Sequence, residues 1–240
     1  MNTVSASPVD PVALGKRRIL VWDAPVRLFH WLMVLSFAGA YLSAESERWR
    51  LLHVTLGYTM AGLVAFRILW GLLGTRHARF ASFVRGPGAV GRYLRSLLQR
   101  RPEHYTGHNP AGALAIVALL LLTLGVTAAG WATYQEVGGK WLEELHQVLA
   151  NLMLTVVGVH VAGVVLGSWL HRENLVAAML TGRKAGPPQD AVHGAWRSVA
   201  ALMLAAVLGF WWLQWQGAPA ADAAGGATAA SKAARHGDDD

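Results

Sequence analysis

Leu145 to Leu170, LHQVLANLMLTVVGVHVAGVVLGSWL, is a run of 26 residues without a single Asp, Glu, Lys or Arg. A helix of about 20 apolar residues crosses a hydrocarbon layer of about 30 Å, so this run reads as a membrane span. It holds two histidines, His146 and His160, 14 positions apart. Fourteen helical residues rise about 21 Å and return to within about 40° of the starting direction. The two imidazoles therefore share one helix face, one near each leaflet.

Working outward, four more apolar runs appear: Leu28 to Ala44, Leu51 to Gly74, Gly112 to Trp131 and Val199 to Trp215. The whole chain of 240 residues is 54% apolar and only 15% charged, short of the quarter that soluble domains carry. A polytopic membrane protein follows. The chain contains no cysteine, which excludes disulfides, Cys-ligated zinc, thiolate-held iron–sulfur clusters, a CxxCH covalent haem site and thiol nucleophiles.

The formal charge of +7 sorts by loop. Lys16, Arg17, Arg18 and Arg27 precede the first span; seven arginines from Arg76 to Arg101 lie between spans two and three; Arg172, Arg183, Lys184 and Arg197 lie between four and five. The alternate loops hold Arg48, Arg50 and Lys140. The positive-inside rule then puts the N-terminus in the cytoplasm and, after five spans, the C-terminus outside. The charge is a topology signal, and nucleic acid is not an expected partner. A signal peptide over the first span is disfavoured by its charged entry (Asp23, Arg27), its histidine and the four spans that follow.

Between spans two and three, Val90, Tyr93, Leu94, Leu97 and Leu98 recur at helical spacing with arginines interleaved, which predicts a short helix lying on the membrane surface. Asn109-Pro110 reads as an N-cap and first helical residue, placing His108 just outside the third span. The expected organisation is a cytoplasmic tail over 1–18, a core over 19–185, a linker over 186–196, a fifth helix over 197–216 and a disordered tail over 217–240.

Ionisable side chains within spans are functional hypotheses by default. Depth pairs His53, two residues into span two, with His146, and His30, two residues into span one, with His160. A bare zinc or copper wants three or four ligands, and the spans offer neither carboxylate nor thiolate to complete the shell. Haem brings four nitrogens of its own and asks only for axial ligands, so two histidines per layer suit it. Arg27 and Arg67 are placed for the propionates of an inner haem, and Arg48, Arg50 and Lys140 for an outer one, with snorkelling an equal alternative. His77, His104, His108 and His193 read as interfacial or solvated, with a lesser role open for His108 near the inner haem or a quinone.

The stretch VWDAPVRLFHW (Val21 to Trp31), HVTLGY (His53 to Tyr58), Arg67 with Trp70-Gly71, GHNP (Gly107 to Pro110), Leu145-His146 with Ala150-Asn151, and HVAG (His160 to Gly163) together resemble the bacterial cytochrome b561 family, which includes the b-type subunits of nickel–iron hydrogenases. The resemblance covers about residues 19–182. It implies an all-α membrane protein, a four-helix bundle holding two bis-histidine b haems, to which this chain adds a fifth C-terminal helix. It also implies His30, His53, His146 and His160 as the iron ligands, and electron transfer between the quinone pool and a periplasmic partner such as a c-type cytochrome. The expected role is that of an electron carrier, as a subunit of a quinol:acceptor oxidoreductase. A hydrogenase cytochrome b subunit and a superoxide:quinone oxidoreductase are the alternatives. The outer loops offer Arg48, Arg50 and Lys140 against Glu45, Glu47, Glu136, Glu143 and Glu144, which weighs against a cationic funnel for superoxide.

Overall fold

Asp23 begins the bundle. Its side chain accepts from the Val26 amide at 2.8 Å, capping the first helix, and Pro25 sits in the first turn where its missing N–H costs nothing. The computed structural model describes residues 17–99, 103 and 105–217. In chain order these form β1 (Arg17–Leu20), α1 (Ala24–Ser43), α2 (Arg50–Leu73), α3 (Phe80–Phe83), α4 (Pro87–Leu98), α5 (Pro110–Tyr134), α6 (Lys140–His171), α7 (Leu175–Thr181), β2 (Arg183–Gly186) and α8 (Arg197–Gln216). α1, α2, α5, α6 and α8 are long and apolar enough to cross a membrane. All but Gly217 of the expected tail over 217–240, and most of that over 1–18, lie outside the described residues.

The chain divides into two compact units, residues 1–204 and 205–240. In the first, α1 packs along α2, α5 along α6, and α2 against α5. One residue from each of these helices, Phe37, Met60, Val126 and Met153, meets in a buried cluster. Met60 is seven residues after His53, Met153 lies midway between His146 and His160, and Phe37 is seven residues after His30. Seven residues rise about 10 Å, so this apolar layer sits halfway between the two histidine levels. Tyr41 ties α1 to α6 by donating to Asn151 Oδ1 at 2.9 Å. In the second unit the described residues are the C-terminal half of α8, with Trp212, Leu213 and Trp215 exposed.

Most of α6 faces outward, with Val148, Leu152, Val159, Val165 and Trp169 all exposed. Apolar side chains on the outside of a bundle are what lipid requires. Trp49, Trp131, Tyr134 and Trp141 are exposed at the end that carries His53 and His146, where an aromatic belt marks the bilayer edge.

Two features differ from the sequence expectation. First, Arg17 and Arg18 belong to β1, which pairs antiparallel with β2 in the register Arg17↔Gly186 to Leu20↔Arg183. The strand thus crosses the expected boundary at residue 18. Val21 and Trp22 amides both donate to the Gly182 carbonyl, at 2.8 and 3.0 Å, tying the chain entry to the end of α7. Gly182 has φ +79, and a Cβ there would stand 2.5 Å from the Trp22 carbonyl oxygen, so glycine is required. Second, the linker expected over 186–196 is pinned. Asp190 pairs with Arg76 at 3.1 Å and accepts from Thr106 Oγ1 at 2.8 Å. The surface helix appears as α4, with Tyr93 buried.

Candidate functional site

α6 carries the site's long axis, with His146 and His160 on one face as its fourteen-residue spacing requires. Across from His146 stands His53, in the first turn of α2. The two rings lie with centroids 6.1 Å apart and planes at 80°. His53 Nδ1 is 2.8 Å from the Ala40 carbonyl oxygen, and His146 Nδ1 is 3.0 Å from that of Val126. A carbonyl oxygen only accepts, so each Nδ1 carries the hydrogen and each Nε2 keeps its lone pair. This is the arrangement by which proteins fix a metal-binding imidazole.

The spacing can be tested against one shared metal. Two nitrogens at about 2.0 Å from a metal, with about 1.1 Å from each nitrogen to its ring centre, put the centroids about 6.2 Å apart. The observed separation matches. Among the described residues no cluster of three or more His, Cys, Asp and Glu could hold a bare ion. Two opposed imidazoles with no third protein ligand fit a haem, whose porphyrin supplies the rest of the shell. A Cβ built at Gly57, Gly158 or Gly163 meets nothing within 4 Å, so open space lies beside the histidine-bearing helix segments. Gly130 does the opposite: a Cβ there would press on the His146 ring, at 2.8 Å from Cε1.

At the other level, His30 on α1 has His160 as an electrostatic neighbour. The His30 Nδ1 is shut from water and has no hydrogen-bond partner among the described residues. The Trp31 ring stands edge-on to it, 5.0 Å between centroids. Arg67, fourteen residues after His53, takes on α2 the face that His53 takes at the first level. It is 3% exposed, lies 4.9 Å over the Phe80 ring, and its Nη1 is unpartnered among the described residues. Arg27 donates to the Leu180 carbonyl at 3.0 Å, while its Nε is likewise buried and unpartnered. Unpaired buried guanidinium nitrogens call for an anion at this level, which the propionates of a haem would supply.

Arg48 and Arg50, by contrast, are exposed; Arg48 lies 5.7 Å over the Trp49 ring, and Arg50 lies 3.9 Å from Glu47 and 5.8 Å over the Tyr134 ring. Lys140 is exposed as well.

A family model described as prokaryotic cytochrome b561 matches residues 21–182. The chain belongs to the prokaryotic cytochrome b561 family. Among curated relatives it is 23% identical to a protein of Rhizobium leguminosarum bv. viciae, over 76% of this chain and 95% of the relative, and 25% identical to one of Azotobacter vinelandii, over 68% and 87%. A third, from Escherichia coli K12, is 28% identical over 48% of this chain and 60% of the relative. The first two are described as a probable Ni/Fe-hydrogenase B-type cytochrome subunit and the third as a probable Ni/Fe-hydrogenase 1 B-type cytochrome subunit. No solved structure matches. As a multi-pass b-type cytochrome, the protein uses non-covalent haem b for electron transfer in a membrane.

Three residues of this cytochrome depart from the sequence reading. Asp23, treated there as a charged entry, is 0% exposed and accepts three hydrogen bonds: from Val26 N, Trp70 Nε1 at 3.0 Å and Thr75 Oγ1 at 2.7 Å. It anchors α1 to the far end of α2, beside Arg67. The Asp-Ala-Pro sequence announces the cap, but not the two partners about fifty residues away. His77 and His108 are not solvated. His77 is buried, its Nε2 2.8 Å from the Asp190 carbonyl oxygen. His108 is wedged between the Trp22 and Phe83 rings, at 4.4 and 4.5 Å, with Nδ1 shut from water. Burial pushes its pKa from 6.5 down to about 3, with the nearby cations Arg67 and Lys184 adding to the effect. His193 is exposed as expected, and His104 lies outside the described residues.

Proposed function

We propose that the chain holds two b haems, one gripped by His53 and His146 and the other by His30 and His160, and passes electrons between them across the membrane. The rings of His53 and His146, 6.1 Å apart and each fixed through Nδ1 with Nε2 left free, are the observation that carries this reading. Bound haem b supplies a one-electron couple at its iron. The chain's own residues do the rest. The carbonyls of Ala40 and Val126 fix the imidazole tautomers, Arg67 and Arg27 hold propionates at the His30/His160 level, and Phe37, Met60, Val126 and Met153 keep water out between the levels. An electron moved fully across couples to the membrane potential by about 2.3 kcal/mol per 100 mV.

The basic loops support an orientation in a bacterial inner membrane with the N-terminus cytoplasmic, His30 and His160 inside, and His53 and His146 outside. In this reading the protein exchanges electrons with the quinone pool and with a periplasmic redox partner. The descriptions of its relatives favour a nickel–iron hydrogenase as that partner. The five glutamates of the outer loops, against Arg48, Arg50 and Lys140, favour instead a partner with a basic face, such as a c-type cytochrome. Pyridine haemochrome analysis of the purified protein tests the core of the proposal: two haem b per chain are expected, and one or fewer refutes it. Co-purification from native membranes separates the two partners.

A further inference from the structure

α4 has three faces, each about a third of its circumference at about 100° per residue. Ala89, Tyr93, Ser96 and Leu97 share the first, where Tyr93 and Ser96 are buried and the helix packs against α5. Arg92 and Arg95 share the second, both exposed. Leu94 and Leu98 share the third, 47% and 86% exposed. The protein accounts for the first face alone. A helix on a water-facing surface needs one apolar face and one polar face, so a third that leaves leucines bare calls for an occupant outside the chain.

The charge is equally unanswered. Residues 74–109 hold seven arginines against one acid, Glu103, whose carboxylate accepts from the Tyr105 hydroxyl. Neither Arg92 nor Arg95 has a carboxylate partner among the described residues. The position of the helix narrows the occupant. The Tyr93 ring meets that of Tyr105 at 5.9 Å, and Tyr105 shortly precedes Asn109, the cap of α5. α4 therefore lies beside the first turn of a membrane-crossing helix, at the edge of the hydrocarbon. A dissolved anion there would satisfy the arginines and leave the leucines in water. Acyl chains alone would satisfy the leucines and leave the arginines unanswered. A leaflet with net negative headgroups supplies both, acyl chains for Leu94 and Leu98 and phosphates for Arg92 and Arg95. A zwitterionic headgroup carries its own cation and offers the arginines no net charge.

We propose that α4 is a docking surface for anionic phospholipid, with Leu94 and Leu98 set among the acyl chains and Arg92 and Arg95 on the headgroup phosphates.

The test uses the purified, haem-loaded full chain in a neutral detergent, with bound lipid counted by native mass spectrometry as phosphatidylglycerol or phosphatidylethanolamine is added. A basic residue near an anionic surface is worth about five- to sixfold in affinity, so the two arginines predict a first phosphatidylglycerol bound about thirtyfold tighter than phosphatidylethanolamine. Arg92→Gln with Arg95→Gln should bring the two lipids close to equal affinity, with haem content and visible spectrum unchanged. Leu94→Ser with Leu98→Ser should weaken phosphatidylglycerol by about tenfold or more. Arg172→Gln with Arg183→Gln, which removes two exposed cations outside α4, should bind both lipids as the unaltered protein does. Equal affinity for the two lipids in the unaltered protein overturns the proposal. So does a preference that survives the loss of Arg92 and Arg95, or one that falls as far when Arg172 and Arg183 are replaced. Unchanged affinity in the leucine variant overturns it too, because an acidic protein or solute would then suit the arginines as well as lipid does.

Discussion

Gly130→Ala adds one methyl group to α5, at a residue that binds nothing. Its Cβ would stand 2.8 Å from His146 Cε1 and 3.0 Å from Nδ1, about 0.7 Å inside ordinary carbon contact for the nearer atom. The imidazole has to move, and the Nδ1 bond to the Val126 carbonyl, already 3.0 Å, is the restraint that gives way. Overpacking of this kind costs about 1–3 kcal/mol of stability. Losing the hydrogen bond that orients a metal ligand costs about 10–100-fold in metal affinity, or about 1.4–2.7 kcal/mol. The variant should therefore release the haem at the His53/His146 level under limiting haem supply, falling from two haems toward one per chain, while the other haem keeps its spectrum. Gly91→Ala on α4, where a Cβ meets nothing within 4 Å, is the matched control and should be silent. Wild-type occupancy and affinity at the His53/His146 level in Gly130→Ala would refute the claim that this glycine makes room for a ligating ring.

Three further outcomes follow from the other level and its cap. Arg67→Gln removes a buried cation from a propionate; a charge-assisted bond worth about 1–3 kcal/mol corresponds to about 40–130 mV, so the midpoint of the His30/His160 haem should drop by that order in a redox titration while the other stays put. Asp23→Asn keeps an oxygen for the Val26 amide but leaves both Trp70 Nε1 and Thr75 Oγ1, which share Oδ2, facing an amide nitrogen that cannot accept. A loss of about 1–3 kcal/mol is expected in denaturant unfolding. His108 binds fewer protons folded, with its pKa near 3, than unfolded at 6.5, so its contribution to stability falls as pH drops from 6.5 toward 3 and is level outside that window. His108→Phe should flatten that part of the pH dependence of the thermal midpoint.

The spans were legible because a bilayer forces continuous apolar runs, and Leu145 to Leu170 advertises itself. Their ends were less so. α6 begins at Lys140, five residues before its apolar run, because a charged first turn can project beyond the hydrocarbon. α1 begins at Ala24 because Asp23 and Pro25 set the cap. Depth in the spans grouped His53 with His146, and the structure sets these two rings 6.1 Å apart with their planes at 80°. What stayed hidden depends on contacts distant in sequence. β1 and β2 are four residues each and separated by more than 160, so neither has a periodic signal of its own. α7 did have local signals, Asn174 capping the Ala177 amide and Gly182 in the left-handed region, but its seven residues fall below what periodicity can resolve. His77 and His108 looked solvated because their neighbours in sequence are basic; Trp22, Phe83 and Asp190, which enclose them, come from other segments.

Four single substitutions, His30→Ala, His53→Ala, His146→Ala and His160→Ala, with low-temperature spectra of the two reduced haems, test the arrangement most directly. His53→Ala and His146→Ala should delete one and the same signal, and His30→Ala and His160→Ala the other. If His53→Ala and His160→Ala removed the same signal, or if any of the four left both haems in place, the two-level arrangement of paired imidazoles would be wrong.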